Sequence, residues 1–296
     1  MPNILITGAS GQVGMALSRM EWPKGHYLYT PDSSELDLSD EVAILDYLEQ
    51  SAPFGAIINC AAYTAVDKAE SEEELATAIN ADAPFHLASY AEELGIPFVH
   101  VSTDYVFDGT KNTPYQEEDE TGPLGIYGAS KLAGEQGVID SGARAVILRT
   151  AWVLSPQGNN FIKTMLRLAR ERDEIGVVDD QVGCPTSAAD IAKALQTIAL
   201  RLMTEKKAPT GIYHFVNLGE TSWHGLAAHI FERAAAAGHD VPKLNAITTA
   251  DYPTPARRPE NSRLDTTKVA RDYKISPRKW DNAVDEILDI LIKDKS

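Results

Sequence analysis

The chain has 296 residues, 27 basic and 43 acidic, and carries a formal net charge of −16. A surface this negative repels phosphate backbones and anionic lipid, so nucleic acid and membrane surfaces are poor partners. Two cysteines, Cys60 and Cys184, cannot build a disulfide framework or a thiolate metal knuckle. They suit a reducing cytosol, and the opening Asn3–Ile6 run is too short for a secretory leader. No stretch reaches the roughly 20 apolar residues that cross a bilayer, so the expected location is cytoplasmic.

Asn3–Ile6 is a β-branched and leucine run closed by a glycine loop, which predicts a buried first strand. A helix over Val13–Met20, a strand over His26–Tyr29 and a helix over Glu41–Gln50 follow, the last with apolar residues at helical spacing. Ala56–Ile58 predicts a third strand, Ser71–Glu93 one long helix, and Phe98–Ser102 a fourth strand. Ala129–Ile139 then predicts a helix and Ala145–Arg149 a fifth strand. Strands alternating with helices in this way imply parallel βαβ units: an α/β fold with a Rossmann-like, doubly wound parallel sheet. Beyond Trp152 the alternation loosens into helices at Phe161–Arg172, Ala188–Met203, Gly225–Ala237 and Asn282–Ile292, with strands at Ile175–Val178 and Ile212–Val216. Tyr252–Arg263 holds three prolines and predicts an irregular loop. The expected division is 1–151 and a smaller C-terminal lobe, 152–296, packed on the first part and partly interleaved with it. The acidic runs Glu70–Glu74 and Glu117–Glu120 read as solvated surface.

Gly8, Gly11 and Gly14 follow the first strand and open the first helix, with Ser10, Gln12 and Val13 between them. Small residues let the backbone turn tightly and approach a pyrophosphate, whose charge the helix N-terminus favours. A plain set of turn glycines would read the same, but the position directly after a first strand decides for the phosphate. A dinucleotide also needs a ribose ligand near the end of the second strand. Asp32 is the nearest acid there and no arginine stands by, which leaves NADPH or NADH open. Asp37 and Leu38 read either as a pair flanking an adenine or as a solvated acid beside a core leucine.

Tyr127 and Lys131 are four residues apart, so a helix puts them on one face. A phenol near pKa 10 exchanges its proton poorly at neutral pH, and an adjacent ammonium is expected to lower that value. Thr103, with Ser102 and Asp104, lies at the carboxyl end of the fourth strand, where open α/β sheets bind ligands. Seven histidines show no metal-ligand spacing, and no metal is expected.

With the glycine loop and Tyr127–Lys131, the blocks Ala61–Glu70, Ser102–Gly109, Arg149–Val153, Gly158–Phe161, Gly183–Thr186 and Arg258–Leu264 carry a resemblance. The chain resembles the extended short-chain dehydrogenase/reductase family, in the branch that reduces dTDP-4-dehydro-6-deoxysugars, and the likeness runs nearly end to end. It implies that NADPH or NADH reduces the C4 ketone of dTDP-4-dehydro-β-L-rhamnose, closing dTDP-L-rhamnose synthesis. Residues 1–151 would hold the cofactor and 152–296 the dTDP-sugar. Tyr127 would protonate the C4 oxygen, Lys131 hold the nicotinamide ribose, and Thr103 orient the carbonyl. Ala61, Ala62, Tyr63 and Thr64 would line the cofactor. Asp104, Trp152 and Asn160 would meet the deoxysugar, and Arg258 the diphosphate. Read alone, Trp152 fits core packing and Arg258 a solvated loop equally well. Dehydratases of the family place a glutamate after Thr-Asp, where this chain has Tyr105, so simple reduction is implied. Ala16 and Ala189 stand where some members hold a bridging magnesium, which argues against a metal-bridged dimer, and a monomer or homodimer is expected. The alternatives are another nucleotide-sugar reductase or epimerase, or a non-catalytic regulatory subunit like that of methionine adenosyltransferase.

Overall fold

The computed structural model describes residues 3–51 and 53–293, with only the backbone of Lys293. Six parallel strands form its central sheet: β1 (Asn3–Thr7), β2 (Tyr27–Tyr29), β3 (Phe54–Asn59), β4 (Phe98–Thr103), β5 (Ala145–Thr150) and a later strand, Gly211–His214. Their spatial order runs from that later strand through β5, β4, β3 and β1 to β2. The order reverses between β1 and β3, so the loops after these two strands diverge and leave a crevice at the carboxyl edge.

Successive residues on the buried strands serve opposite faces. Ile4, Ile6, Ile58, Val99 and Leu148 pack with Leu17 of α1 (Gln12–Ser18) and with an Ile191–Leu195–Ile198–Leu202 stripe from further along the chain. Leu5, Ile57, Phe98 and Ile147 point the other way. There they meet α2 (Glu41–Gln50), α5 (Ala83–Glu93) and α6 (Ile126–Asp140). Before α5 come two short helices, α3 (Val66–Ala69) and α4 (Glu73–Thr77).

The expected single helix over Ser71–Glu93 is interrupted: α4 and α5 are joined by a π-helical turn, Ala78–Asp82. That turn faces α6, where Gly134 lets the backbone of Asn80 come so close that a Cβ would lie 2.0 Å from its carbonyl oxygen. The two acidic runs are also not all solvated. Glu117 is buried, accepts the His214 N–H at 3.0 Å, and has its carboxyl pKa pushed up by that burial. Glu70 accepts the Ile126 N–H at 2.9 Å and so caps α6.

The later part begins with β6 (Val153–Leu154), α7 (Phe161–Glu171) and β7 (Glu174–Val178). After β8 (Val182–Gly183) and β9 (Thr186–Ser187) comes α8 (Ala188–Thr204), which carries the stripe on the central sheet. The sixth sheet strand is β10 (Gly211–His214), and β11 (Thr221–Ser222), α9 (Trp223–Ala236) and β12 (Lys243–Ile247) complete the lobe's strands. α10 (Thr267–Tyr273) returns to the central sheet, while α11 (Trp280–Lys293) stays on the lobe. β12 pairs in parallel with β7 over a separate core of Ile162, Ile175, Ile230, Phe231 and Leu288. The sequence reading does not include β12 and α10, nor the two-residue strands β6, β8, β9 and β11. Tyr252–Arg263 is irregular, as its prolines imply, apart from one bridge from Asn261 to Val182. Among the described residues, no helix is long and apolar enough to cross a membrane.

Candidate active site

A cavity of about 680 Å³ opens along the carboxyl edge of the sheet. One end is lined by Pro31, Asp32, Asp37 and Leu38, the middle by Gly8, Ser10, Gly11, Gln12 and Val13, and the far end by Thr103, Tyr127 and Trp152. Gly8 has φ +69°, a left-handed conformation, and a Cβ on it would fall 2.5 Å from the Ala61 N. Gly14 is not on the cavity wall. Its absent side chain lets α1 close on the loop, since a Cβ there would sit 2.2 Å from the Gly8 carbonyl oxygen. The cap of α1 is Gly11, no side chain bonds its free N–H groups, and its first turn holds no acid. Those free N–H groups could hold a diphosphate. Ala61, Ala62 and Thr64 line the opposite wall after β3. A nicotinamide dinucleotide therefore fits these residues in shape and in donor chemistry.

At the far end, α6 carries Tyr127 and Lys131 to the wall where β4 delivers Thr103 and Asp104. Gly128 makes this approach possible: a Cβ there would lie 2.2 Å from the Tyr105 carbonyl oxygen. The Thr103 hydroxyl donates to Asp104 Oδ1 at 3.0 Å and accepts the Tyr105 N–H at 3.2 Å. Burial pushes the Asp104 carboxyl up to about 6, against hydrogen bonds from Ser262 and Thr103 that hold it down.

The expected acidification of the phenol by its lysine is not met. Burial pushes Tyr127 up to about 12, opposed by the Thr103 hydroxyl and reinforced by the Asp104 charge. Lys131 instead donates to the Val101 carbonyl at 2.8 Å, and its nitrogen lies 3.2 Å from His100 Nε2. Burial pulls Lys131 down to about 8, with Glu135 and the Cys60 thiol opposing.

Trp152 has φ +47° and lies flat on Trp223, ring centroids 3.5 Å apart and planes within 9°. Gly183 makes room for it, since a Cβ there would come 2.4 Å from the indole. One face of Trp152 is thus taken by Trp223, and the residue still lines the cavity. Three other expected site residues stand off the wall. Asn160 caps α7 through the Lys163 N–H and donates to Gln12 Oε1 at 2.9 Å. Arg258 pairs with Asp67 at 2.8 Å, and its Nη1 is buried without a hydrogen bond. Tyr63 sends its hydroxyl to Glu72, while Asn80 holds its backbone at both the N–H and the carbonyl.

Sequence reasoning passed over Asn80, which also donates to Ser130 Oγ on α6 at 3.0 Å and so ties the loop after β3 to the tyrosine's helix. No local signal marks a π turn inside an otherwise helical stretch. It also passed over Trp223, Cys60 and Val66. Among the described residues no cluster of metal-ligating side chains is present.

A doubly wound parallel sheet, a glycine cradle after β1, and a tyrosine and lysine beside a threonine at its carboxyl edge define a short-chain dehydrogenase/reductase. A family model described as the RmlD substrate binding domain matches residues 2–292. The dTDP-4-dehydrorhamnose reductase of Aggregatibacter actinomycetemcomitans is 44% identical over 290 residues, covering 97% of this chain and 98% of that protein. That of Escherichia coli K12 is 43% identical, with 98% of each covered. Among solved structures, the dTDP-4-dehydrorhamnose reductase of Clostridium acetobutylicum has a TM-score of 0.89 at 39% identity, covering 98% of this chain and 99% of that one. The Bacillus anthracis enzyme, solved in complex with NADP, has a TM-score of 0.89 at 35% identity, covering 98% and 100%. The chain belongs to the dTDP-4-dehydrorhamnose reductase family.

Proposed function

We propose that this protein reduces the C4 ketone of dTDP-4-dehydro-β-L-rhamnose with NAD(P)H to give dTDP-L-rhamnose. The observation that carries the reading is one continuous cavity, with a diphosphate cradle at its middle and Tyr127, Thr103, Lys131 and Trp152 at one end. The dinucleotide, when bound, supplies the hydride.

The residues do the rest. Tyr127 delivers a proton to the C4 oxygen, and a phenol whose pKa is raised to about 12 arrives fully protonated at neutral pH. Thr103 orients the carbonyl from beside Tyr127. Lys131 holds the ribose hydroxyls, Gly8 to Val13 the diphosphate, and Ala61, Ala62 and Thr64 the far side of the nucleotide. Asp37 and Leu38 flank the adenine. The free face of Trp152 packs on the deoxysugar, with Asp104 accepting a sugar hydroxyl. Arg258 reaches the dTDP diphosphate by exchanging Asp67 for phosphate oxygens, and Asn160 acts through Gln12 and the α7 cap. The expected state is a monomer or a homodimer, and the free thiols suit the cytoplasm. An acid without a second, separate base favours reduction over elimination.

The test is NAD(P)H oxidation with dTDP-4-dehydrorhamnose against UDP- and GDP-linked keto sugars. Tyr127→Phe should lower turnover by roughly 10²–10⁴-fold with dinucleotide affinity retained. No turnover of any keto sugar, or near-normal turnover in Tyr127→Phe, would overturn the reading.

A further inference from the structure

His100 lies in the middle of β4, fully buried, with no part in the chemistry above. Its ring is held between Asn59 at the end of β3 and Lys131 on α6: Asn59 Nδ2 is 3.1 Å from Nδ1 and Lys131 Nζ is 3.2 Å from Nε2. The hydrogen-bond roles in this chain are determined from one end. Asn59 Oδ1 accepts the backbone N–H of Ala61 at 3.1 Å and the Thr7 hydroxyl at 2.6 Å. A backbone N–H can only donate, so the amide cannot be turned over, and its NH₂ faces His100. Nδ1 must then be a lone pair. A ring that is buried and kept neutral carries its one proton on Nε2, aimed at Lys131.

We propose that His100 is a positioning residue that holds Lys131 by giving it a hydrogen bond rather than taking one. The lysine nitrogen receives the Nε2–H through its lone pair and donates to the Val101 carbonyl, and both are possible together only for a neutral amine. An ammonium has no lone pair to offer, so protonation costs Lys131 its His100 contact and turns it toward the cavity. Lysine charge and lysine position are thereby coupled, and Asn59 sets the coupling from two residues before the Ala61 wall. The charged and titratable groups around Lys131 are Glu135 on its own helix, Cys60 after β3, and His100 itself. The Glu135 carboxylate is engaged by Arg149 of β5 at 2.6 Å. Tyr127 and Asp104 line the same cavity.

Two measurements decide the matter. The first is ¹⁵N NMR of histidine-labelled, ligand-free protein at pH 9, above the value near 8 to which burial pulls Lys131. His100 should be neutral with its proton on Nε2, and Asn59→Asp, whose carboxylate only accepts, should move that proton to Nδ1. A wild-type signal from the Nδ1–H tautomer or from imidazolium would overturn the proposal. The second is the pH profile of kcat/KM. Its alkaline limb should move upward by about one unit, a tenfold change in proton concentration, in both Asn59→Asp and His100→Leu. A limb unmoved in the variants that fold, with the loss falling only on thermal stability, would overturn it too. This second arm rests on the reductase reading, whereas the NMR arm does not, so failure of one is distinguishable from failure of the other.

Discussion

Asp104 shows at the scale of one side chain how a residue lining the cavity carries a cost to the fold. Its carboxyl is raised to about 6 by burial, above the ordinary unfolded value near 4. The folded state therefore disfavours the charge, and stability is lost as pH rises from about 4 through 6. At pH 8 the whole penalty is present, about 3 kcal/mol. Asp104→Asn removes it: thermal unfolding should show a higher Tm than the wild type at pH 8, with the gap closing toward pH 4. An unchanged Tm at pH 8 would contradict this account. At this scale the sequence makes Tyr127, Lys131 and Thr103 legible, because helical spacing and a strand end place them without help from distant chain. It does not disclose what holds Lys131 in place. That depends on His100, 31 residues away, which in turn depends on Asn59, 41 residues further from it.

Among the elements, the strands with alternating buried faces and the long amphipathic helices are read directly from their periods. β12 is not, because its Lys-Leu-Asn-Ala-Ile sequence buries little and owes its form to pairing with β7. The π turn before α5 is hidden for a different reason: it is demanded by the close face of α6, not by its own residues. The start of α6 is likewise set from outside. Gly125 at its N-cap has no side chain to offer, and Glu70 supplies the acceptor. Glu70→Ala should cost about 0.5–2 kcal/mol, the usual value of a lost cap. Because Tyr127 sits in that first turn, kcat should fall together with the stability. Urea titration alongside steady-state kinetics would register both, and a fall in stability alone would show that the cap does not position the tyrosine.

At the scale of the whole molecule, residues from both sides of position 151 share one central sheet. β10 pairs with β5 along its length, α8 and α10 cover one face of the central sheet, and Gln12 of the glycine loop is tied to Asn160 beyond the boundary. Residues 1–151 expressed alone would expose Ile6, Ile58, Val99 and Leu148, so that fragment should show no cooperative thermal transition. A sharp one by circular dichroism would refute the dependence. The sequence predicts a strand at Ile212–Val216, but nothing in its own residues says that it pairs with β5. Charge has an outcome at this scale as well. The only cation among the residues lining the cavity is Lys131, at its buried end, while the net charge is −16. Among the described lining residues no second cation draws in a polyanionic nucleotide, and the net field of the chain opposes it. Added salt screens that repulsion, so dinucleotide and dTDP-sugar encounter rates measured by stopped flow should rise with ionic strength, the reverse of a positively steered enzyme.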